Sequence, residues 1–233
     1  MCFLRIKRIP ILGNQRKLLL LRGFVGLTAM LLFFLSLKEL PFGSAVSLRY
    51  LSPIFAAFLA MLFLKDKIKP IQWFYFLMAF AGVFILKGFD TQIGILGLTY
   101  SLFGAFFSGC VYVLVRRIGT RDHPLVIINY FMFIAMCCSG LLAIPSWKMP
   151  IGTDWYILGG LGIIGFFGQY YMTKGLQTAP VSKVAPIKYI ETVFALLVSV
   201  SFFGDTYTLA SLLGIGLILG GMFLNLGVRK TTQ

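Results

Sequence analysis

Three charged side chains fall in the interior of stretches apolar enough to cross a bilayer, away from their ends: Arg49, Lys188 and Glu191. An ionisable group near a bilayer centre costs roughly 2.5–3.5 kcal/mol on insertion scales, so each is by default a candidate for function. Arg49 lies eight residues past Pro41, and Lys188 keeps the same offset from Pro180, a rise of about 12 Å along a helix. Two such cations suit a carboxylate, a phosphate or a zwitterion, with Arg as a bidentate fork and Lys as a point charge. Glu191 follows Lys188 by three residues, close to the same helix face. Either the two form a local ion pair, or Glu191 binds a substrate amine or carries a coupling proton while Arg49 takes a carboxylate. A self-satisfied pair plus an Arg49 that snorkels is the purely structural alternative.

Small residues follow both cations at helical spacing: Ser52, Ala56 and Ala60 after Arg49, and Thr192, Ala195 and Ser199 after Lys188. Such faces either line a cavity or let helices approach closely. Gln169, Asn129 and Tyr112 complete the candidate substrate-binding set. Gly162, Gly165 and Gly168 recur at three-residue spacing and Gly216 and Gly220 at four. These are helix-packing signals, and a nucleotide loop would need a strand before it. Pairing with a second copy of the chain is open, with nothing further in its favour. Pro53 and Pro186 are kink sites. The chain has a single histidine, His123, and Cys2, Cys110, Cys137 and Cys138 show no ligand spacing, so neither a metal nor another cofactor is expected. No H-E-x-x-H, no G-x-S-x-G and no pair of carboxylates within a span is present, which argues against an enzyme. Without a P-loop, uphill movement of a solute requires an ion or proton gradient, and Glu191 is the only carboxylate inside a span.

These residues must be held by membrane helices. Of 233 residues 59% are hydrophobic and 12% charged, against about a quarter charged in a soluble domain. The fold class expected is an all-α polytopic membrane protein. Residues 1–17 form a basic cytoplasmic segment on anionic lipid. Eight spans follow, near residues 18–37, 43–64, 71–86, 93–115, 125–144, 155–173, 184–203 and 209–228, with a tail at 229–233. Arg22 is expected to snorkel from the end of the first span. Sixteen Lys/Arg lie in the N-terminal segment, alternate connections and the C-terminus, and three on the opposite side. That asymmetry places both termini in the cytoplasm and excludes a nucleic-acid-binding face.

A shift of 139 positions aligns residues 23–88 with 162–227 without a gap. Arg49 meets Lys188, Tyr50 meets Tyr189, Asp66 meets Asp205, Gly23 meets Gly162, Gly26 meets Gly165 and Gly82 meets Gly221. The second and seventh spans are five crossings apart, so mates run in opposite directions and the repeat is inverted. Residues 93–228 make a five-helix unit and residues 18–88 a three-helix one, so two helices of the first unit are expected upstream of Met1.

The stretches RGFVGLTAMLLFFLSLKELPFGSAVSLRYLSPIFAAFLAMLFLKDKI and KGLQTAPVSKVAPIKYIETVFALLVSVSFFGD resemble the EamA-type proteins of the drug/metabolite transporter superfamily. The resemblance implies ten helices in two five-helix units and a central cavity lined by the helices of Arg49 and Lys188. It also implies secondary transport of a small metabolite by alternating access, in the cytoplasmic (inner) membrane of a bacterium. A fragment that does not transport, or one half of a complex, is the rival expectation.

Overall fold

A computed structural model describes residues 12–49, 51–64, 69–89, 94–178, 189–204 and 206–227. The described residues carry nine α-helices: α1 (Arg16–Glu39), α2 (Phe42–Arg49), α3 (Ser52–Leu64), α4 (Pro70–Phe89), α5 (Ile95–Ile118), α6 (Pro124–Ala143), α7 (Asp154–Thr178), α8 (Tyr189–Phe203) and α9 (Leu209–Gly227). Each expected span therefore has a helix, with α2 and α3 sharing the second. Four stretches, Arg16–Glu39, Phe42–Leu64, Ile95–Arg121 and Pro124–Ala143, are long and apolar enough to cross a membrane, and Pro70–Val83 and Leu209–Gly221 are shorter apolar helices. The class is all-α and polytopic. Exposed Leu141, Leu142, Ile163, Ile164 and Phe223 are normal only where hydrocarbon replaces water.

Local chemistry sets the helix ends. His123 takes the N–H of Leu125 on Nδ1 at 3.2 Å, with Pro124 opening α6, where a proline forfeits no helical hydrogen bond. Asp154 accepts the N–H of Ile151 at 3.0 Å and puts a negative charge at the positive end of α7. The N–H of Lys69 donates to Gln72 Oε1 at 2.9 Å, half of a capping box at the start of α4. Gly119, with φ +57°, turns the chain out of α5, a backbone shape that glycine adopts without strain.

The chain forms two compact units, Met1–Leu27 with Leu114–Pro180 and Thr28–Val113 with Val181–Gln233. In the first, α6 packs on α7, and α7 on the turn Gly119–Arg121. In the second, α4 packs along α9, and α2 on α8 and α9, around Leu48, Leu51, Ile54, Phe76, Ala79 and Ile218. These compact units do not follow the repeat boundaries: α2 and α4 of the first repeat pack with α8 and α9 of the second.

Candidate functional site

In the second unit Arg49 is the last residue of α2. Pro53 has no N–H to offer the Arg49 carbonyl four residues back, and its ring crowds that oxygen. The helix is interrupted by a turn at Leu51 and restarts at Ser52. Bonds from the N–H of Leu51 to the Leu48 carbonyl at 3.1 Å, and of Ile54 to the Leu51 carbonyl at 2.9 Å, carry the backbone past the break. The expected kink at Pro53 is thus an interruption one turn earlier. It leaves a cation at the negative end of a helix, a favourable place. The half-buried guanidinium lies 4.3 Å from the centre of the Phe33 ring, close enough for cation–π attraction. Among the described residues it makes no ion pair.

Close packing is what the small residues after Arg49 do. Ser52, Ala56 and Ala60 are buried, and a Cβ on Gly109 would lie 2.9 Å from the Ala56 nitrogen and 3.0 Å from the Ser52 carbonyl. Here α3 and α5 touch backbone to backbone. Ser199 is buried on α8, and its hydroxyl pairs with that of Tyr207 at 2.7 Å. Both oxygens accept the N–H of Gly43, at 3.3 and 3.1 Å, so they cap α2. Tyr112 is buried on α5. Lys188 and Pro186 lie outside the described residues. Glu191 and Thr192 stand in the first turn of α8.

The first unit holds Gln169 and Asn129, both half-buried. Gln169 Oε1 accepts Nη2 of Arg22 at 3.2 Å, and Arg22 also covers the Phe131 ring at 4.4 Å. Arg22 is only 1% exposed. It does not snorkel, because α1 turns it inward onto α6 and α7. The sequence signal for this was Arg22-Gly23 with Gly26 one turn on. A Cβ on Gly26 would lie 3.0 Å from Nη1 of Arg22 and 3.1 Å from the Phe131 ring, so the glycine makes room for both. Gly162, Gly165, Gly168 and Gly216 meet nothing within 4 Å, and Gly220 meets only Met78, at 3.5 Å. The packing expected at the first four is made by no described residue.

Comparison with known proteins adds a family. A profile described as the EamA-like transporter family matches residues 1–87 and again 95–227. Human solute carrier family 35 member G1 is 29% identical over 211 residues, covering 84% of this chain and 58% of that protein. An uncharacterized membrane protein of Saccharomyces cerevisiae is 25% identical over 243 residues, covering 94% and 59%. The pseudopaline exporter of Pseudomonas aeruginosa is 27% identical over 183 residues, covering 76% and 63%. The chain spans less than two thirds of the length of each of these relatives. A protein crystal structure matches with a TM-score of 0.64 at 22% identity, covering 87% of this chain and 74% of that one.

Proposed function

The chain belongs to the EamA-like transporter family, and on that premise we propose that it carries out secondary transport of small anionic or zwitterionic metabolites, amino-acid-like solutes among them. The two inverted repeats alternate access to the substrate. The observation that carries this reading is Arg49: a cation without an ion pair among the described residues, at the end of an interrupted helix. Interrupted helices present backbone ends and charge to a solute within a membrane. Lys188, the repeat mate of Arg49, adds a second cation, and Glu191 carries the coupling proton; both roles rest on sequence position. A relative named for exporting pseudopaline supports a small solute as cargo. The membrane is the bacterial cytoplasmic membrane, with both termini inside, as the charge asymmetry supports.

The test is transport into proteoliposomes of a panel of amino acids, dicarboxylates, phosphorylated metabolites, nucleosides and cationic drugs. Arg49→Ala abolishes transport of an anionic class while the protein stays folded, with an unchanged gel-filtration profile and a melting temperature lowered by no more than the loss of one cation–π contact. Loss of the folded protein would make Arg49 structural, and a cationic-drug signal indifferent to Arg49 would remove the anion assignment.

One observation favours a second reading, in which this chain works together with further helices. Gly23 and Gly26 are packed against Ile134 and Phe131 of α6, whereas their repeat mates Gly162 and Gly165 face open space. A helix seated on that glycine face would be the repeat mate of α6. Cysteine crosslinking from Gly162→Cys to a helix outside residues 12–227 would support this reading; lipid-only labelling of that position would remove it.

A further inference from the structure

The most thoroughly buried cation among the described residues has no role in the transport proposal. Arg22 is 1% exposed, and while Nη2 reaches Gln169, neither Nε nor Nη1 meets an acceptor. A guanidinium carries five N–H donors, and the three on Nε and Nη1 point at no partner. Thr173 lies one turn beyond Gln169 on α7, fully buried, and its hydroxyl is also unpartnered. Each unsatisfied buried donor costs about 1–3 kcal/mol, more for a charged group. The acids of this unit among the described residues are engaged elsewhere: Asp122 accepts the N–H groups of Asn14 and Gln15, and Asp154 that of Ile151. Phe131 covers one face of the guanidinium, and the unpartnered donors lie along its in-plane edges. A planar carboxylate matches such an edge.

We propose that Arg22, Gln169 and Thr173 form an oxyanion-binding site within the first compact unit, taking the carboxylate of a small water-soluble metabolite. The guanidinium edge not taken by Gln169 donates to the oxyanion through Nη2 and its unpartnered neighbour on that edge, Nε or Nη1, Thr173 adds a hydroxyl donor, and Gln169 holds the guanidinium in its plane through the other Nη2 hydrogen. The site depends neither on Arg49 nor on transport activity. The phosphate of a lipid headgroup has the same oxyanion chemistry, and separate arms of the test tell the two sources apart.

The experiment is thermal unfolding of the full chain, purified in a maltoside detergent. Sodium malonate and inorganic phosphate are titrated against chloride at matched ionic strength, with a separate titration of short-chain phosphatidylglycerol. A ligand that binds only the folded state raises the melting temperature with its concentration. Malonate gives such a rise in the wild type, and Arg22→Met removes it. Gln169→Glu keeps the arginine but supplies a carboxylate from α7; it raises the starting melting temperature and removes the malonate response. A wild type that responds to malonate, phosphate and phosphatidylglycerol no more than to chloride overturns the site, as does a response that persists in Gln169→Glu. A response to phosphatidylglycerol alone overturns the metabolite assignment in favour of lipid.

Discussion

Gly82 on α4 and Gly221 on α9 occupy equivalent places in one helix crossing. A Cβ on Gly82 would lie 2.6 Å from the Gly214 carbonyl and 2.9 Å from Ile218; a Cβ on Gly221 would lie 2.6 Å from the Tyr75 carbonyl and 3.0 Å from the Ala79 nitrogen. Gly82 and Gly221, Tyr75 and Gly214, and Ala79 and Ile218 are all related by the same shift of 139 positions. The contact is reciprocal, as a pseudo-two-fold axis through the crossing requires. The inverted repeat is thus expressed in packing between mates.

Gly82→Ala and Gly221→Ala should each destabilise the fold, by about 1–3 kcal/mol, the usual cost of overpacking. The atoms in the way are backbone, which cannot swing aside. Gly162→Ala and Gly216→Ala meet open space and should be neutral, or stabilising by up to about 1 kcal/mol through helix propensity. Melting curves of the four variants in one detergent check this. Equal shifts in all four would mean that the crossing is not tight.

The positions of the helices were legible because long apolar runs bounded by charge, Pro and Gly leave few other solutions in a bilayer. Pro53 was legible as a disruption but not where it acts, since the break depends on which carbonyl loses its donor. The burial of Arg22 was not legible. A cation four residues past the start of an apolar run looks free to snorkel, and Phe131 and Gln169, more than a hundred residues away, hold it inside. Nor did hydropathy reveal that α2 and α4 pack with α8 and α9, because a one-dimensional profile carries no partner information. The gapless repeat held that information in Gly82 and Gly221, as the identity of two glycines rather than as a contact.

Asp122 should be a stabilising cap. Its buried carboxylate accepts the N–H groups of Asn14 at 2.5 Å and Gln15 at 3.1 Å, just before α1. These donors stand at the positive helix end, where a negative charge is favoured. Asp122→Asn turns one acceptor into an amide that faces an N–H. The expected loss is about 1–2 kcal/mol, read as a lower melting temperature and faster proteolysis before Arg16. Unchanged proteolysis would show that the cap is dispensable.

Gln177 ties α7 to the turn after α5: its amide nitrogen donates to the Gly119 carbonyl and, at 2.8 Å, to that of Asp122. Gln177→Leu leaves both carbonyls without this donor, a cost of about 1–3 kcal/mol. Gln177→Glu should be worse at neutral pH, because a carboxylate then faces two carbonyl oxygens. Its charged form is disfavoured in the fold, so its pKa is raised there above the unfolded value. Stability should therefore recover as pH falls through the folded-state pKa, when protonation restores a donor. Melting temperature against pH for the wild type and both variants reads this out; a Gln177→Glu profile parallel to that of Gln177→Leu would refute it.

Pro53→Ala separates stability from transport. The substitution returns an N–H to the turn that follows Arg49 and removes the ring that crowds the Arg49 carbonyl. A proline in a helix interior costs about 3 kcal/mol relative to alanine. Part of that is already relieved here by the turn at Leu51, so the gain should be smaller. The expected result is a continuous helix over 42–64 and a higher melting temperature. Transport should fall, because Arg49 no longer stands at a helix end with its carbonyl free of a helical donor. Melting and proteoliposome uptake measured on the same preparations decide the matter. A stabilised variant that transports at the wild-type rate would mean that the interruption serves only to fit α2 and α3 around their neighbours, and Arg49 would then have to act without it.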